Sequence, residues 1–383
     1  MQVMENYSPN IFFVTGSKGK TSTSHFLSAL LPNSGLFTSP HLISVRERIQ
    51  VNKQMISEQD FIKNYHSQLN QPFQKLLLTA MKYYKSSNCQ DLVIEPGIGG
   101  ASDAVSQLNK FKLNSSSVLI NSIELEHQKT LGNSLYEIAV NKALLATSST
   151  KQVIIHSSNY ENPEIYSGIT DVLQDFNLMS KLKVSKKKPD YFQDAAQMAL
   201  DAVGGGLVSK DANGNIIMVK QCGALIKVQK PPGHCQIVQN KNNIVFIDGA
   251  HTSRSISFAV SEFQKQLSTS NKKKVKIIFS QTKDREWKSF LNTILKLDVK
   301  DVTLVPGVSG FDLNTSQQFG EKETIICEQI AEYLKNIGIG AEVIKDFASV
   351  EEMFRNQEND VLVVGSVHGA GVVAKALQNL KLM

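Results

Sequence analysis

Ile11-Phe12-Phe13-Val14-Thr15-Gly16-Ser17-Lys18-Gly19-Lys20-Thr21-Ser22 carries an apolar run straight into a glycine-bracketed lysine and a helical pattern. That order predicts a buried strand, a tight loop and a helix start. Glycines without a Cβ let backbone N–H groups approach an anion, the helix N-terminus adds its orphan donors, and Lys20 supplies a point charge. Gly16, Ser17, Lys18, Gly19, Lys20, Thr21 and Ser22 therefore form a candidate phosphate cradle. The spacing is one residue tighter than the common Walker loop, and an ordinary strand-to-helix turn would read the same way. A cation at a helix N-terminus opposes the helix dipole, which favours a working Lys20 over a merely solvated one.

Outward from the loop, short apolar runs alternate with helical patterns. Strands are expected at 11–15, 92–95, 118–121 and 153–156, and helices at 21–31, 73–85 and 134–146. This is the pattern of an α/β fold with a P-loop-type, doubly wound, mostly parallel sheet. Residues 204–228, with Gly-Gly-Gly and Asn-Gly turns, read as a β-ribbon appended to that sheet. Pro231-Pro232-Gly233 breaks the pattern, and a second, smaller α/β series follows. Its strands are expected at 244–248, 275–280, 302–305 and 361–365, with helices at 253–267 and 284–297 and a final helix. A 383-residue chain exceeds what one core usually supports, so domains of 1–229 and 230–383 are expected. Ligands of such sheets bind beyond the carboxyl ends of the strands.

Composition bounds the function. The 41% hydrophobic and 20% charged fractions fit a globular protein and argue against disorder. Net charge is +6, and the lysine runs at 186–188 and 272–274 sit beside turn residues. They read as solvated edges and not as a nucleic-acid surface, although the positive balance suits a polyanionic substrate. Cys89, Cys222, Cys235 and Cys327 are widely spaced, which points to neither zinc nor a disulfide frame. The first ten residues lack the pattern of a signal or transit peptide, and no apolar run is long enough for a membrane span. A cytoplasmic protein without membrane or nucleic-acid partners is expected.

Further segments follow the loop in order. Residues 35–49 read Gly-Leu-Phe-Thr-Ser-Pro-His-Leu-Ile-Ser-Val-Arg-Glu-Arg-Ile, and 93–104 read Val-Ile-Glu-Pro-Gly-Ile-Gly-Gly-Ala-Ser-Asp-Ala. Glu-Leu-Glu-His at 124–127 precedes a helix ending in Asn-Lys-Ala, Asp-Gly-Ala-His stands at 248–251, and Val-Gly-Ser-Val-His at 364–368. Together these segments resemble folylpolyglutamate synthase and dihydrofolate synthase, a branch of the ATP-dependent Mur-type ligases. The resemblance implies a Mur ligase-like central ATP-binding domain and a C-terminal glutamate ligase domain, expected as a monomer. It implies an ADP-forming ligation in which ATP phosphorylates a folate or pteroate carboxylate and glutamate attacks the acyl phosphate. Lys20 would hold the outer phosphates. Ser39 and Glu95 match the family's first magnesium ligands, and His127 matches a ligand for a second magnesium. Lys142 matches a lysine that the family carbamoylates, against the alternative of an exposed helix lysine. Asp248 and His251 match nucleotide contacts from the second domain, with a helix N-cap as the alternative for Asp248.

The sequence also departs from the family pattern. His234 stands where the family has an arginine reaching the ATP phosphates, and imidazole lacks both its fixed charge and its bidentate fork. Asp194 replaces an asparagine and would place negative charge near a nucleotide. Ala101 replaces an arginine, Thr252 an asparagine and Glu126 an aspartate. The helices that precede the loop in the family have no counterpart in the ten residues before the first strand. An active ligase is favoured by the intact Lys20, Ser39, Glu95, His127 and Lys142. A degenerate homologue that binds nucleotide without catalysis stays open, as does, more weakly, a peptidoglycan precursor ligase.

Overall fold

A computed structural model describes residues 6–65, 70–111, 113–210, 217–221, 224–240, 243–267, 275–281, 287–297, 299–308, 319–355 and 357–383. The chain forms two compact units, Met1–Pro40 with Arg46–Lys230, and His41–Val45 with Pro231–Met383.

The first unit is built on β1 (Asn10–Thr15), β2 (Ser34–Phe37), β3 (Ile49–Val51), β4 (Gln54–Met55), β5 (Asp91–Ile94), β6 (Ser115–Ile120), β7 (Thr150–Ile155) and β8 (Leu182–Val184). They form one sheet in the order β4-β3-β2-β5-β1-β6-β7-β8. The pairs from β2 to β8 are parallel, and only the β2–β3 and β3–β4 pairs are antiparallel. Parallel strands are covered on both faces, which is why their apolar runs are continuous. Phe13, Val14, Leu92, Val93, Ile94, Val118, Leu119, Val153 and Ile154 are all buried. Each large side chain taken fully from water stabilises the fold by about 1.5–3 kcal/mol.

Local signals set where the helices begin. The helix α1 (Lys20–Leu30) follows the glycine loop without a side-chain cap, while α2 (Glu58–Asn64) is capped by Ser57. The helix α3 (Pro72–Ser86) starts with a proline, whose missing N–H is an orphan there anyway. After the single turn α4 (Gln128–Leu131), Ser134 and Glu137 close a capping box on α5 (Leu135–Ala143). That box fixes the register of α5 and so the place of Lys142 near its end. The helices α6 (Ser157–Glu161), α7 (Pro163–Asp175) and α8 (Tyr191–Ala202) are capped by His156, Asn162 and Asp190.

The strands β9 (Leu207–Lys210), β10 (Ile217–Gln221) and β11 (Ala224–Val228) correct one expectation. They form an antiparallel sheet of their own and do not extend the main sheet. The chain turns back after α8 through the glycines at 204–206, so the ribbon lies over α8 and α1 instead of reaching the β8 edge.

The second unit orders β12 (Gln236–Asn240), β13 (Asn243–Ile247), β14 (Val275–Phe279), β15 (Asp301–Leu304), β16 (Gly340–Val343) and β17 (Asp360–Val364) as β12-β13-β17-β14-β15-β16. Every pair is parallel except β12 with β13. Among the described residues its helices are α9 (Ser253–Leu267), α10 (Trp287–Ile294), α11 (Glu321–Asn336), α12 (Phe347–Arg355) and α13 (Val367–Asn379). Leu42, far away in sequence, joins the core of Val245, Ile247, Val361, Val363, Phe347 and Phe354. The expected helix at 284–297 is α10 followed by a 3-10 turn, Leu295–Leu297; its first residues lie outside the described residues, as do the 272–274 lysine run, Cys222 and the Asn-Gly turn at 213–214. Among the described residues, no helix is long and apolar enough to cross a membrane. Cys89, Cys235 and Cys327 are buried and in no disulfide.

Candidate active site

The loop after β1 closes on a template made by the exit of β6. Gly16 and Gly19 adopt φ of +131° and +92°, and a Cβ on either would meet Asn121 at 2.7 and 2.8 Å. Asn121 also accepts a hydrogen bond from Thr23 Oγ1 at 2.9 Å and donates to the Thr15 carbonyl at 3.3 Å. The Ser17 and Lys18 N–H groups donate to the Ser122 carbonyl at 2.8 and 3.3 Å. Ser17 and Lys18 thus shape the loop through their backbone. The orphan donors for an anion are those of the first turn, Gly19, Lys20, Thr21 and Ser22.

Two lysines converge on one carbonyl. Lys20 Nζ donates to Gly16 O at 3.0 Å, and Lys142 Nζ donates to the same oxygen at 2.9 Å. Lys142 is fully buried, which removes the exposed-helix alternative, and its Nζ also pairs with Glu126 Oε1 at 3.1 Å. Burial and then the charge of Lys20 push the Lys142 ammonium down to about 8, against the pull of Glu126. Burial works against the Glu126 carboxylate, but Lys20 and Lys142 hold it below its ordinary value. Neighbouring Asn141 explains the rest of the Asn-Lys-Ala segment. Its side-chain oxygen accepts from Gly100 N at 3.0 Å and its carbonyl from Ala101 N at 2.9 Å, fastening the Gly-Gly-Ala loop to α5.

Glu95, 1% exposed at the end of β5, accepts from Thr21 Oγ1 at 3.0 Å and from the Ser39 N–H at 3.4 Å. Burial raises its carboxyl to about 7, opposed by Lys20, the two hydrogen bonds and Arg48. The structure therefore gathers Ser39, Thr21 and Glu95 beside Lys20. His127 stands on an exposed turn at φ +47°, where its carbonyl accepts from Thr130 and Leu131 to start α4. Among the described residues, no three His, Cys, Asp or Glu side chains cluster tightly enough to hold a metal alone.

In the second unit, Asp248 follows β13 and its carboxylate bonds to backbone on both sides. Its Oδ2 accepts from Cys235 N at 2.8 Å and its Oδ1 from Ala250 N at 2.8 Å, satisfying two loop donors. Burial raises this carboxyl, while His234 and these bonds oppose the shift. His234 Nδ1 meets the Pro232 carbonyl at 3.0 Å, and His251 Nδ1 meets the Gly249 carbonyl at 2.9 Å. Asp194 has partners close by. His156 Nε2 pairs with its Oδ2 at 2.6 Å and Lys188 N donates to its Oδ1 at 2.9 Å, so its negative charge is engaged by local partners. His156 carried no motif signal.

The Mur ligase middle domain family matches residues 14–223, more than half of the chain. The chain belongs to the Mur ligase family. Within it, a folylpolyglutamate synthase of Saccharomyces cerevisiae is 27% identical over 431 residues, covering 94% of this chain and 76% of the relative. Two solved structures share the fold of this Mur ligase family chain. E. coli FolC in complex with DHPP and ADP has a TM-score of 0.69 at 20% identity, covering 98% of this chain and 90% of that one. The Thermotoga maritima folylpolyglutamate synthase has a TM-score of 0.70 at 19% identity, covering 100% and 93%.

Proposed function

We propose that this protein is an ATP-dependent, ADP-forming ligase that joins glutamate to a folate or pteroate carboxylate through an acyl phosphate. The reading stands on the convergence of Lys20 and Lys142 on the phosphate loop, with Glu95 held beside them. The relative named a folylpolyglutamate synthase supports the substrate class. Solved neighbours carrying ADP, or AMPPNP with a manganese ion, support a nucleotide and a divalent cation.

The first-turn N–H groups and Lys20 bind and orient the terminal phosphates of ATP, a reaction that needs positioning and charge neutralisation more than a nucleophilic side chain. The substrate carboxylate attacks the γ-phosphorus and ADP leaves; the neutral amine of glutamate then attacks the acyl carbon, losing a proton as phosphate departs. Glu95, with Thr21 and Ser39 beside it, offers oxygen ligands of the kind magnesium takes, and a buried carboxyl raised to about 7 gains most from a cation beside it. Magnesium held there would supply further charge neutralisation for phosphoryl transfer. His127 is assigned to a second magnesium. Lys142, lowered to about 8, reaches the neutral amine, the form that carbon dioxide converts to a carbamate, much closer to neutral pH than an ordinary lysine. In the second unit Asp248 holds the loops, and His234 and His251 are the side chains assigned to the nucleotide.

The intact loop and acid favour an active ligase over a homologue that only binds nucleotide. ADP release should require both glutamate and a folate-type carboxylate, assayed with dihydropteroate, tetrahydrofolate and a muramyl precursor. ATP binding without ADP release on either folate substrate would replace the ligase reading with the non-catalytic one.

A further inference from the structure

Asn159 is fully buried in α6, and its side-chain amide bonds to one stretch of backbone. Its Nδ2 donates to the Ile120 carbonyl at 3.0 Å and the Asn121 carbonyl at 2.9 Å, and its Oδ1 accepts from Ile123 N at 3.0 Å. These are the residues that turn the chain out of β6. The next carbonyl, Ser122 O, is the one that accepts both Ser17 N and Lys18 N. Two residues on, Glu124 N donates to Ser17 Oγ at 2.9 Å, and then comes Glu126, the partner of Lys142. Asn121 meanwhile fills the space under Gly16 and Gly19.

We propose that Asn159 is a positioning residue for phosphate binding, acting through the 120–123 turn to hold the 16–19 loop in its anion-binding shape. A primary amide suits this place because it is a neutral group that donates to two carbonyls and accepts from an N–H at once. Without it, the Asn121 carbonyl and Ile123 N–H lose a buried partner, and the turn relaxes to recover one. The Ser122 carbonyl then moves, the Ser17 and Lys18 bonds are lost, and the first-turn donors no longer share one focus. Displacements of about 1 Å in such a template can cost about 100-fold in rate where positioned groups do the work.

This inference rests on reading residues 16–22 as the phosphate site of a nucleotide. Its test is titration calorimetry of magnesium AMPPNP into the full-length parent, Asn159→Ala and Asn159→Asp, each well below its melting temperature. Asp keeps the acceptor and removes both donors. The expected result is at least about 10-fold weaker binding in both variants, with KM for ATP rising and kcat falling as well. A merely structural role lowers the melting temperature and leaves the dissociation constant of the folded protein unchanged, and that result overturns the inference. If Asn159→Ala does not fold, Asn159→Asp decides on the same criterion. A parent that binds no AMPPNP refutes the nucleotide reading itself, which is a separate outcome.

Discussion

Replacing Lys20 with alanine should weaken magnesium nucleotide binding by about 10- to 100-fold, the value of a charge-assisted hydrogen bond of about 1.5–3 kcal/mol. In the free protein the ammonium makes a bond to Gly16 O at 3.0 Å, a contact within one turn that other loop bonds duplicate. The fold should therefore persist, with an unchanged circular dichroism spectrum. Turnover should fall further than binding, because charge on the transferring phosphoryl group is largest in the transition state. Unchanged affinity and turnover in Lys20→Ala would reduce the loop to an ordinary strand-to-helix turn.

Glu95→Gln should separate stability from activity. The Glu95 carboxyl rises from 4.5 to about 7, first because it is buried. A folded-state value above the unfolded one gives stability that is fully present below about pH 4.5 and lost as the pH rises through about 7. The displacement corresponds to about 3 kcal/mol at most. Without divalent metal, Glu95→Gln should melt close to the parent at pH 4.5 and well above it at pH 8. Turnover should move the other way, falling about 10²- to 10³-fold for want of the carboxylate that neutralises the cation. Magnesium affinity of the parent should rise with pH through about 7, as protons stop competing for the carboxylate, and the glutamine variant should lack that rise. Melting curves of parent and variant that shift in parallel with pH would contradict the assigned burial of the charge.

The parts of the site written in contiguous residues are legible in the sequence alone. Gly16 to Ser22 and Glu95 sit where an apolar run ends, because strand, loop and helix start are all short-range patterns. The burial of Lys142 is not legible there, since it depends on Gly16, 126 residues away, and on a capping box that sets the register of α5. Asn121 and Asn159 escape notice for the same reason; an asparagine in a loop or short helix reads as a turn former until its distant partners are known. The contact of Asp194 with His156 spans 38 residues and is equally invisible in the sequence. The ribbon after α8 misleads in another way. Its strands are readable, but hydrogen bonding to a neighbouring sheet is not encoded in an alternating pattern.

Amide ligation through an acyl phosphate leaves an isotopic trace that no other route shares. The folate-type substrate is prepared with ¹⁸O in its reacting carboxylate and turned over with ATP, magnesium and glutamate, and the released phosphate is analysed by mass spectrometry. In an acyl phosphate route one carboxylate oxygen leaves with the phosphoryl group, so each phosphate formed should carry one labelled oxygen. Phosphate released without label, or glutamylated product formed without ADP, would contradict that route.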